Sequence, residues 1–373
     1  MHNRHQNRNV IATIILIAIL SPFGSKASGL NRTGSSSLGN CAESLPLSVR
    51  IGQLLMPLTS NGSDTKLLLE GGLITGFAIT GTLNQGSAVE IRNISKSNFR
   101  LGALIASDEE GGSVQRYKKI LWPLLSAKET AGVLTPEQAY NQYFNYGKKL
   151  REWGVTVVFG PVVDVGFGPG IRNRSYSSDP TVVTNFAESA VRAYTDAGLF
   201  PVIKHFPGHG DTTNDTHADI SMTKPLDKLK AKDLLPYALL DQYSDMGVMV
   251  GHLVVPGSSD GLPSTMSNAI ITRLLKTELG FKGVIFSDAL GMGAVAKYHS
   301  EESTARAFLS AGGTVLIVPS VKSASNIRKA IEKLVSTKKL ESSIITNAAS
   351  KVLDLKGVNA CSYKTKEKRL QPR

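Results

Sequence analysis

Eight short apolar runs rich in β-forming residues recur along this chain, each followed by Gly, Pro, Asp or His and then by a helix-like stretch. They fall at 54–58, 76–80, 103–107, 155–159, 201–204, 247–250, 283–286 and 314–318. Such alternation argues for a parallel sheet, because a parallel neighbour is reached only by a crossover, usually a helix. Eight units in the body of a 373-residue chain are expected to close into a single (β/α)8 TIM-type barrel, an α/β fold, with some irregularity in its first strands. The competing arrangement is a doubly wound open sheet, but no G-x-G-x-x-G follows the first run. A composition of 41% hydrophobic and 19% charged residues supplies an ordinary globular core. No internal repeat is visible, and no room remains for a second full domain.

Two crossovers carry readable ends. Thr135-Pro136-Glu137 opens one with a capping residue and a proline in the first turn, and Gly154 stops it. The stretch 267–279 behaves similarly and ends at Gly280.

The ends of the chain read differently from its body. Arg4 and Arg8 precede an apolar run from Val10 to Leu20, then Pro22, Gly24 and the small-residue site Ser25-Lys26-Ala27. This is the layout of a secretory signal peptide over 1–27, and the run is short of the roughly 20 residues of a spanning helix. Residues 28–40, rich in Ser, Gly and Asn, read as a flexible linker. The barrel domain is expected over 41–361 and a basic tail over 362–373. The formal charge of +12 is concentrated in leader and tail, and no basic stripe interleaved with aromatics remains in the body. Nucleic acid is therefore not expected as a partner. Export to the periplasm or the extracellular space is expected, with no stable membrane insertion after cleavage. The two cysteines, Cys41 and Cys361, bracket the domain. The first and last elements of a closed barrel are neighbours, so a disulfide is expected, with two free thiols as the alternative. Closing so long a loop would restrict the unfolded chain by roughly 5 kcal/mol in the entropy model.

Barrels of this kind place their working residues at the C-terminal ends of the strands. There this chain carries Ser107-Asp108-Glu109-Glu110-Gly111-Gly112, then Asp164 after the fourth run, then Arg172-Asn173-Arg174-Ser175-Tyr176. Lys204-His205-Phe206-Pro207-Gly208-His209-Gly210-Asp211 and Asp215-Thr216-His217 follow the fifth run, Gly251-His252 the sixth, and Asp288 ends the seventh. By itself Asp288 reads equally as a helix cap or as a carboxylate held at the barrel mouth. The histidine-rich loop reads either as a metal site or as organic acid/base machinery. No H-E-x-x-H is present, and Asp215 and His217, two apart, share a face of an extended loop. An aspartate in that position fixes the tautomer of the histidine and stabilises its imidazolium.

Together these segments resemble the signature of glycoside hydrolase family 3, and more narrowly its single-domain β-N-acetylglucosaminidases. Lys-His-Phe-Pro-Gly-His-Gly-Asp with the following Asp-Thr-His carries the resemblance. Asp108-x-Glu110-Gly111-Gly112-x-Val114-Gln115-Arg116, the Arg172–Tyr176 element and Phe286-Ser287-Asp288-x-Leu290-x-Met292 extend it. The matches run in the family's order from about residue 48 to about 320. The resemblance implies Asp288 as nucleophile and His217 as acid/base with Asp215 as its partner. It implies that Asp108, Arg116, Arg174, Lys204 and His205 bind the hydroxyls of the terminal sugar, although each basic residue could instead serve structural pairing. Ser113 stands where Arg is frequent, and Ala289-Leu290-Gly291 replaces a more acidic stretch, which leaves substrate preference open.

The expected activity is that of a retaining exo-β-N-acetylglucosaminidase acting on peptidoglycan fragments or chitooligosaccharides, as a monomer and without a cofactor or metal. The competing readings are a β-glucosidase or β-xylosidase of the same family, a metal-dependent barrel hydrolase, and a non-catalytic sugar-binding protein of the envelope.

Overall fold

A computed structural model describes residues 39–363 except 242, 244 and 259. The signal peptide, the linker up to residue 38 and the tail from residue 364 lie outside the described residues. All eight expected strands form: β1 (Leu55–Thr59), β2 (Gly76–Ile79), β3 (Leu104–Ser107), β4 (Val157–Val162), β5 (Phe200–Phe206), β6 (Gly247–Val250), β7 (Ile285–Ser287) and β8 (Leu316–Val318). Each pairs in parallel with its sequence neighbour, and β1 also pairs with β8 through Leu55↔Leu316. Between β7 and β8 the ladder reduces to a Phe286↔Val315 bridge and a hydrogen bond from Ser287 N–H to the Val315 carbonyl at 2.9 Å. The ring is thus nearly closed, an irregular (β/α)8 barrel rather than an open sheet.

The strands are short and almost wholly buried, as a parallel sheet sheathed by helices requires. Phe159 of β4 and Phe286 of β7 are not sheet neighbours, yet their rings meet at 5.8 Å. The barrel interior is therefore packed side chain rather than pore. Burial of each such ring contributes about 1.5–3 kcal/mol.

Thr135 caps helix α1 (Pro136–Glu152) in a full capping box with Gln138, and Gly154 follows its end with φ 92°. Its buried face, including Tyr143, Tyr146 and Leu150, packs on α2 (Pro180–Asp196), which Asp179 caps. The stretch expected as a helix over 267–279 does form one, α3 (Ala269–Glu278), but with π-type hydrogen bonding; Leu279 N–H reaches the Leu274 carbonyl at 2.9 Å. Gly280 ends it with φ 69°.

Cys41 and Cys361 form a disulfide, with their Cα atoms 4.9 Å apart. Around it Ala42, Leu45, Val49, Leu101, Leu353 and Ala360 form a small apolar cluster of their own. Gly39 and Asn40, expected in the linker, already belong to the 3-10 turn Gly39–Ser44, and Ser362, expected in the tail, ends another. Among the described residues no helix is long and apolar enough to cross a membrane.

Candidate active site

The expected sugar-binding residues converge into one chain of ion pairs at the C-terminal end of β3, β4 and β5. After β3 the chain folds into a tight antiparallel hairpin, Glu109–Gly111 against Val114–Gln115. The hairpin returns Arg116 beside Asp108, whose Oδ2 lies 2.6 Å from Arg116 Nη2. Asp108 Oδ1 takes Lys204 Nζ at 2.6 Å, and the same ammonium reaches Glu110 Oε1 at 2.6 Å. Glu110 in turn accepts a bidentate pair from Arg174, Nε at 2.7 Å and Nη2 at 2.9 Å. Planar guanidinium and carboxylate match in this fork geometry.

Lys204 is only 2% exposed, which an ammonium tolerates here because two carboxylates face it. Of the two roles expected for Lys204, the structure shows the pairing, and with two acids, Asp108 and Glu110. Burial would raise the Asp108 carboxyl, but Lys204 and Arg116 outweigh it and hold it far below the usual range. Glu110 is likewise pushed up by burial and brought down to about 2 by Arg174 and Lys204. Asp108 and Arg116 keep 21% and 25% of their side-chain surface open, so the partly exposed end of this network is the Asp108–Arg116 pair.

β5 runs two residues further than the apolar run 201–204, to Phe206, so His205 sits within the strand beside Lys204 and not in the loop beyond it. His205 Nδ1 lies 2.7 Å from Asp164 Oδ2, and its Nε2 faces Arg174 Nη2 at 3.4 Å. Asp164 also accepts the backbone N–H of His209 at 2.6 Å. The ring of His209 is enclosed by Thr212 Oγ1 at 2.7 Å and Thr216 Oγ1 at 3.0 Å. Burial holds His209 and His252 below the ordinary imidazole value. His252 Nε2 donates to the Ala289 carbonyl at 3.0 Å, beside the candidate nucleophile. Among the described residues, no three His, Cys, Asp or Glu side chains are grouped so as to hold a metal. The histidines are spent instead on Asp164, threonine hydroxyls and a carbonyl.

Asp288 follows β7 directly and caps no helix; the next one, Gly293–Ala296, begins after Met292. Its Oδ1 accepts the N–H of Ala289 at 2.8 Å. Burial raises the Asp288 carboxyl, yet the His205 and His252 imidazoles, the Ala289 N–H and the Lys204 ammonium together hold it below its ordinary value. The result is a carboxylate kept ionised at the mouth of the barrel, in a field set by residues from β5, β6 and β7.

Asp215 and His217 do meet, but not because the loop is extended. The chain turns there, and Asp215 Oδ1 accepts both the His217 N–H at 2.9 Å and its ring Nδ1 at 2.8 Å. Asp215 is held below the usual carboxylate value: burial raises it, and the His217 backbone and ring bonds and charge overcome this. Nδ1 is thereby engaged, and Nε2 is the ring nitrogen not bound to Asp215. The pair is open to solvent, with side-chain exposures of 44% for Asp215 and 67% for His217.

Glu110 and Asp164 belong to this centre although the sequence reading gave neither a site role. Both stood at strand ends among the residues noted there. Nothing in their spacing says that Asp164 pairs with His205 or that Glu110 bridges two basic groups.

A barrel whose strand ends gather a buried acid–base network, an ionised aspartate and a histidine–aspartate pair has the carboxylate and acid/base groups that a hydrolase requires. The glycosyl hydrolase family 3 N-terminal domain matches residues 46–355, and the chain belongs to that family. It falls in the family's β-hexosaminidase group. It is 33% identical over 324 residues to the β-hexosaminidase LpqI of Mycobacterium tuberculosis, covering 83% of this chain and 82% of that protein. The solved structure of M. tuberculosis LpqI superposes with a TM-score of 0.82 at 30% identity, over 87% of this chain and 98% of the other. The β-N-acetylglucosaminidase of Thermotoga maritima superposes with a TM-score of 0.74 at 28% identity, over 82% of this chain and 67% of the other.

Proposed function

We propose that the protein is a retaining exo-β-N-acetylglucosaminidase that releases terminal N-acetylglucosamine through a glycosyl-Asp288 intermediate. The observation that carries this reading is the Asp215–His217 pair. It supplies a proton donor and acceptor on the loop after β5, in a chain similar throughout to β-hexosaminidases. In the first step an Asp288 oxygen forms a bond to the anomeric carbon as the glycosidic C–O bond breaks. The departing oxygen takes the proton from His217 Nε2. In the second step His217 Nε2 takes a proton from water, whose oxygen displaces Asp288 from the same carbon. Two inversions retain the β configuration. The Asp215 carboxylate stabilises the imidazolium that stands before the first step and re-forms in the second; between them the ring is neutral.

Asp108 and Arg116, at the open end of the ion-pair chain, hold hydroxyls of the terminal sugar. Arg174, Lys204 and His205 set that end rigidly from beneath. The substrates are N-acetylglucosaminides of the envelope, peptidoglycan fragments or chitooligosaccharides, met outside the membrane by a monomeric enzyme. The Cys41–Cys361 disulfide supports the oxidising compartment that this location implies.

The test is incubation with purified muropeptides and chitooligosaccharides, with products identified by mass, and with aryl N-acetylglucosaminide, glucoside and xyloside in parallel. Release of N-acetylglucosamine with retained β configuration is expected. Asp288→Ala abolishes turnover of every substrate, and substantial residual turnover by that variant would remove the nucleophile assignment.

A further inference from the structure

The loop that carries His217 is fastened to the segment that follows Asp288, and the fastening has three parts. The N–H of Ala294 donates to the Thr216 carbonyl at 3.1 Å, and that of Gly293 donates to the His217 carbonyl at 3.2 Å. Beyond His217, the Asp219 carboxylate takes the Tyr298 hydroxyl on Oδ1 at 2.6 Å and Lys297 Nζ on Oδ2 at 3.1 Å. The approach is close enough to require glycine. A Cβ on Gly293 would lie 2.8 Å from the His217 carbonyl oxygen and closer still to that of Ala218.

We propose that Asp219, Tyr298 and Lys297 form a clasp that positions the acid/base loop over the nucleophile's segment. They act as positioning residues, touching no substrate and acting through His217. The inference rests on the reading of His217 as the acid/base.

Three observations support it. First, His217 itself is too exposed for packing to fix it; Asp215 sets the angle of its ring but sits on the same loop and cannot fix where the loop lies. Second, the loop's inward side-chain anchor is Thr216 Oγ1 on His209, and the backbone bonds from Ala294 and Gly293 stop at the His217 carbonyl, so beyond His217 the attachment continues through the Asp219 side chain. Third, Asp219 supplies that attachment with both oxygens occupied from the opposite wall, while Oδ1 also takes the Ile220 N–H at 2.7 Å. These contacts, the Tyr298 hydroxyl first among them, hold the Asp219 carboxyl down at about 2. A general acid must lie within hydrogen-bond reach of the leaving oxygen, and small displacements of such a group are costly in rate.

The test compares Asp219→Ala, Tyr298→Phe, Lys297→Met and His217→Ala on aryl N-acetylglucosaminides of graded leaving-group acidity. Each clasp variant is expected to lose roughly 10- to 100-fold in kcat on poor leaving groups, with much smaller loss on activated ones and KM little changed. Lys297→Arg restores the rate. In a His217→Ala background the clasp substitutions have no further effect. If His217→Ala shows the leaving-group dependence while the clasp variants keep full kcat, the clasp is overturned and the acid/base reading stands. If His217→Ala shows no such dependence, both fall together. Tyr298→Phe removes one exposed oxygen, which keeps the comparison open should Asp219→Ala unfold.

Discussion

His205 presents its ring Nδ1 to the buried Asp164 carboxylate at 2.7 Å, while its Nε2 faces the Arg174 guanidinium at 3.4 Å. A guanidinium only donates, so Nε2 accepts and the ring carries its proton on Nδ1. Asp164 therefore sets the tautomer of a residue on β5 from the end of β4. Asp164→Asn turns half of that acceptor into a donor. A hydrogen bond to a charged group is worth about 1.5–3 kcal/mol, so kcat/KM is expected to fall roughly 10- to 100-fold. Steady-state kinetics on an aryl N-acetylglucosaminide checks this, and unchanged kcat/KM would show that the tautomer is immaterial.

The field around Asp288 predicts how the enzyme meets acid. Neighbouring imidazoles, the Ala289 N–H and Lys204 overcome burial and hold its carboxyl below 3.8. On the proposed reading of Asp288 as nucleophile the ionised form is the reactive one, so the Asp288 ionisation that limits the acid side of kcat/KM lies below that value. Removing one contributor, in His252→Gln, moves this limb upward in pH. A pH–rate profile of both proteins, measured within the range where they stay folded, shows the displacement or its absence.

Lys204 is the hub of the ion-pair chain, and its removal strands two acids. Lys204→Met leaves Asp108 and Glu110 facing each other with only Arg116 and Arg174 to offset them. Breaking a buried pair typically costs about 3–5 kcal/mol. Urea denaturation should show a loss of that size together with loss of activity. A variant with wild-type stability would mean that the arginines suffice.

Glu109 predicts a pH dependence of stability with the opposite sign to that of most carboxylates. Its side chain is buried and accepts from Ser107, Tyr146 and the Tyr117 N–H. Burial nonetheless wins and pushes its pKa from 4.5 to about 7. The folded state holds this proton more tightly than the unfolded chain. The contribution is therefore complete below 4.5 and lost as pH rises through about 7. A shift of that size corresponds to about 3 kcal/mol. Glu109→Gln should flatten the fall in melting temperature between these values, and an unchanged slope would assign it to another group.

Much of this was legible in the chain itself, for physical reasons. The strands are largely buried on both faces, so they appear as apolar runs, broken in β5 by Lys204 and His205, and the strand-helix alternation follows from parallel pairing. Thr135-Pro136 marked a helix start because capping is local chemistry. The π-type bonding of α3 left no such mark, since 269–278 carries an ordinary amphipathic pattern. The resemblance singled out Asp288, His217 and Asp215; of these the structure shows that Asp215 and His217 meet, and that their contact comes from a turn rather than an extended loop. Glu110 and Asp164 were missed as site members because their partners lie on other elements, Lys204 and His205 on β5 and Arg174 on the 3-10 turn Arg172–Arg174. Only closure of the barrel brings Arg174 and Lys204 to one and His205 to the other.

The bond between Cys41 and Cys361 has a topological consequence. It converts nearly the whole described chain into a covalent ring, with separation of 320 in sequence between its two ends. A protease that cuts once in any loop at the barrel mouth then produces a linear molecule of unchanged mass apart from added water, not two pieces. After such a nick the severed halves of the barrel stay tethered and can re-close around the same site. Only reduction, or a second cut, would let a fragment go.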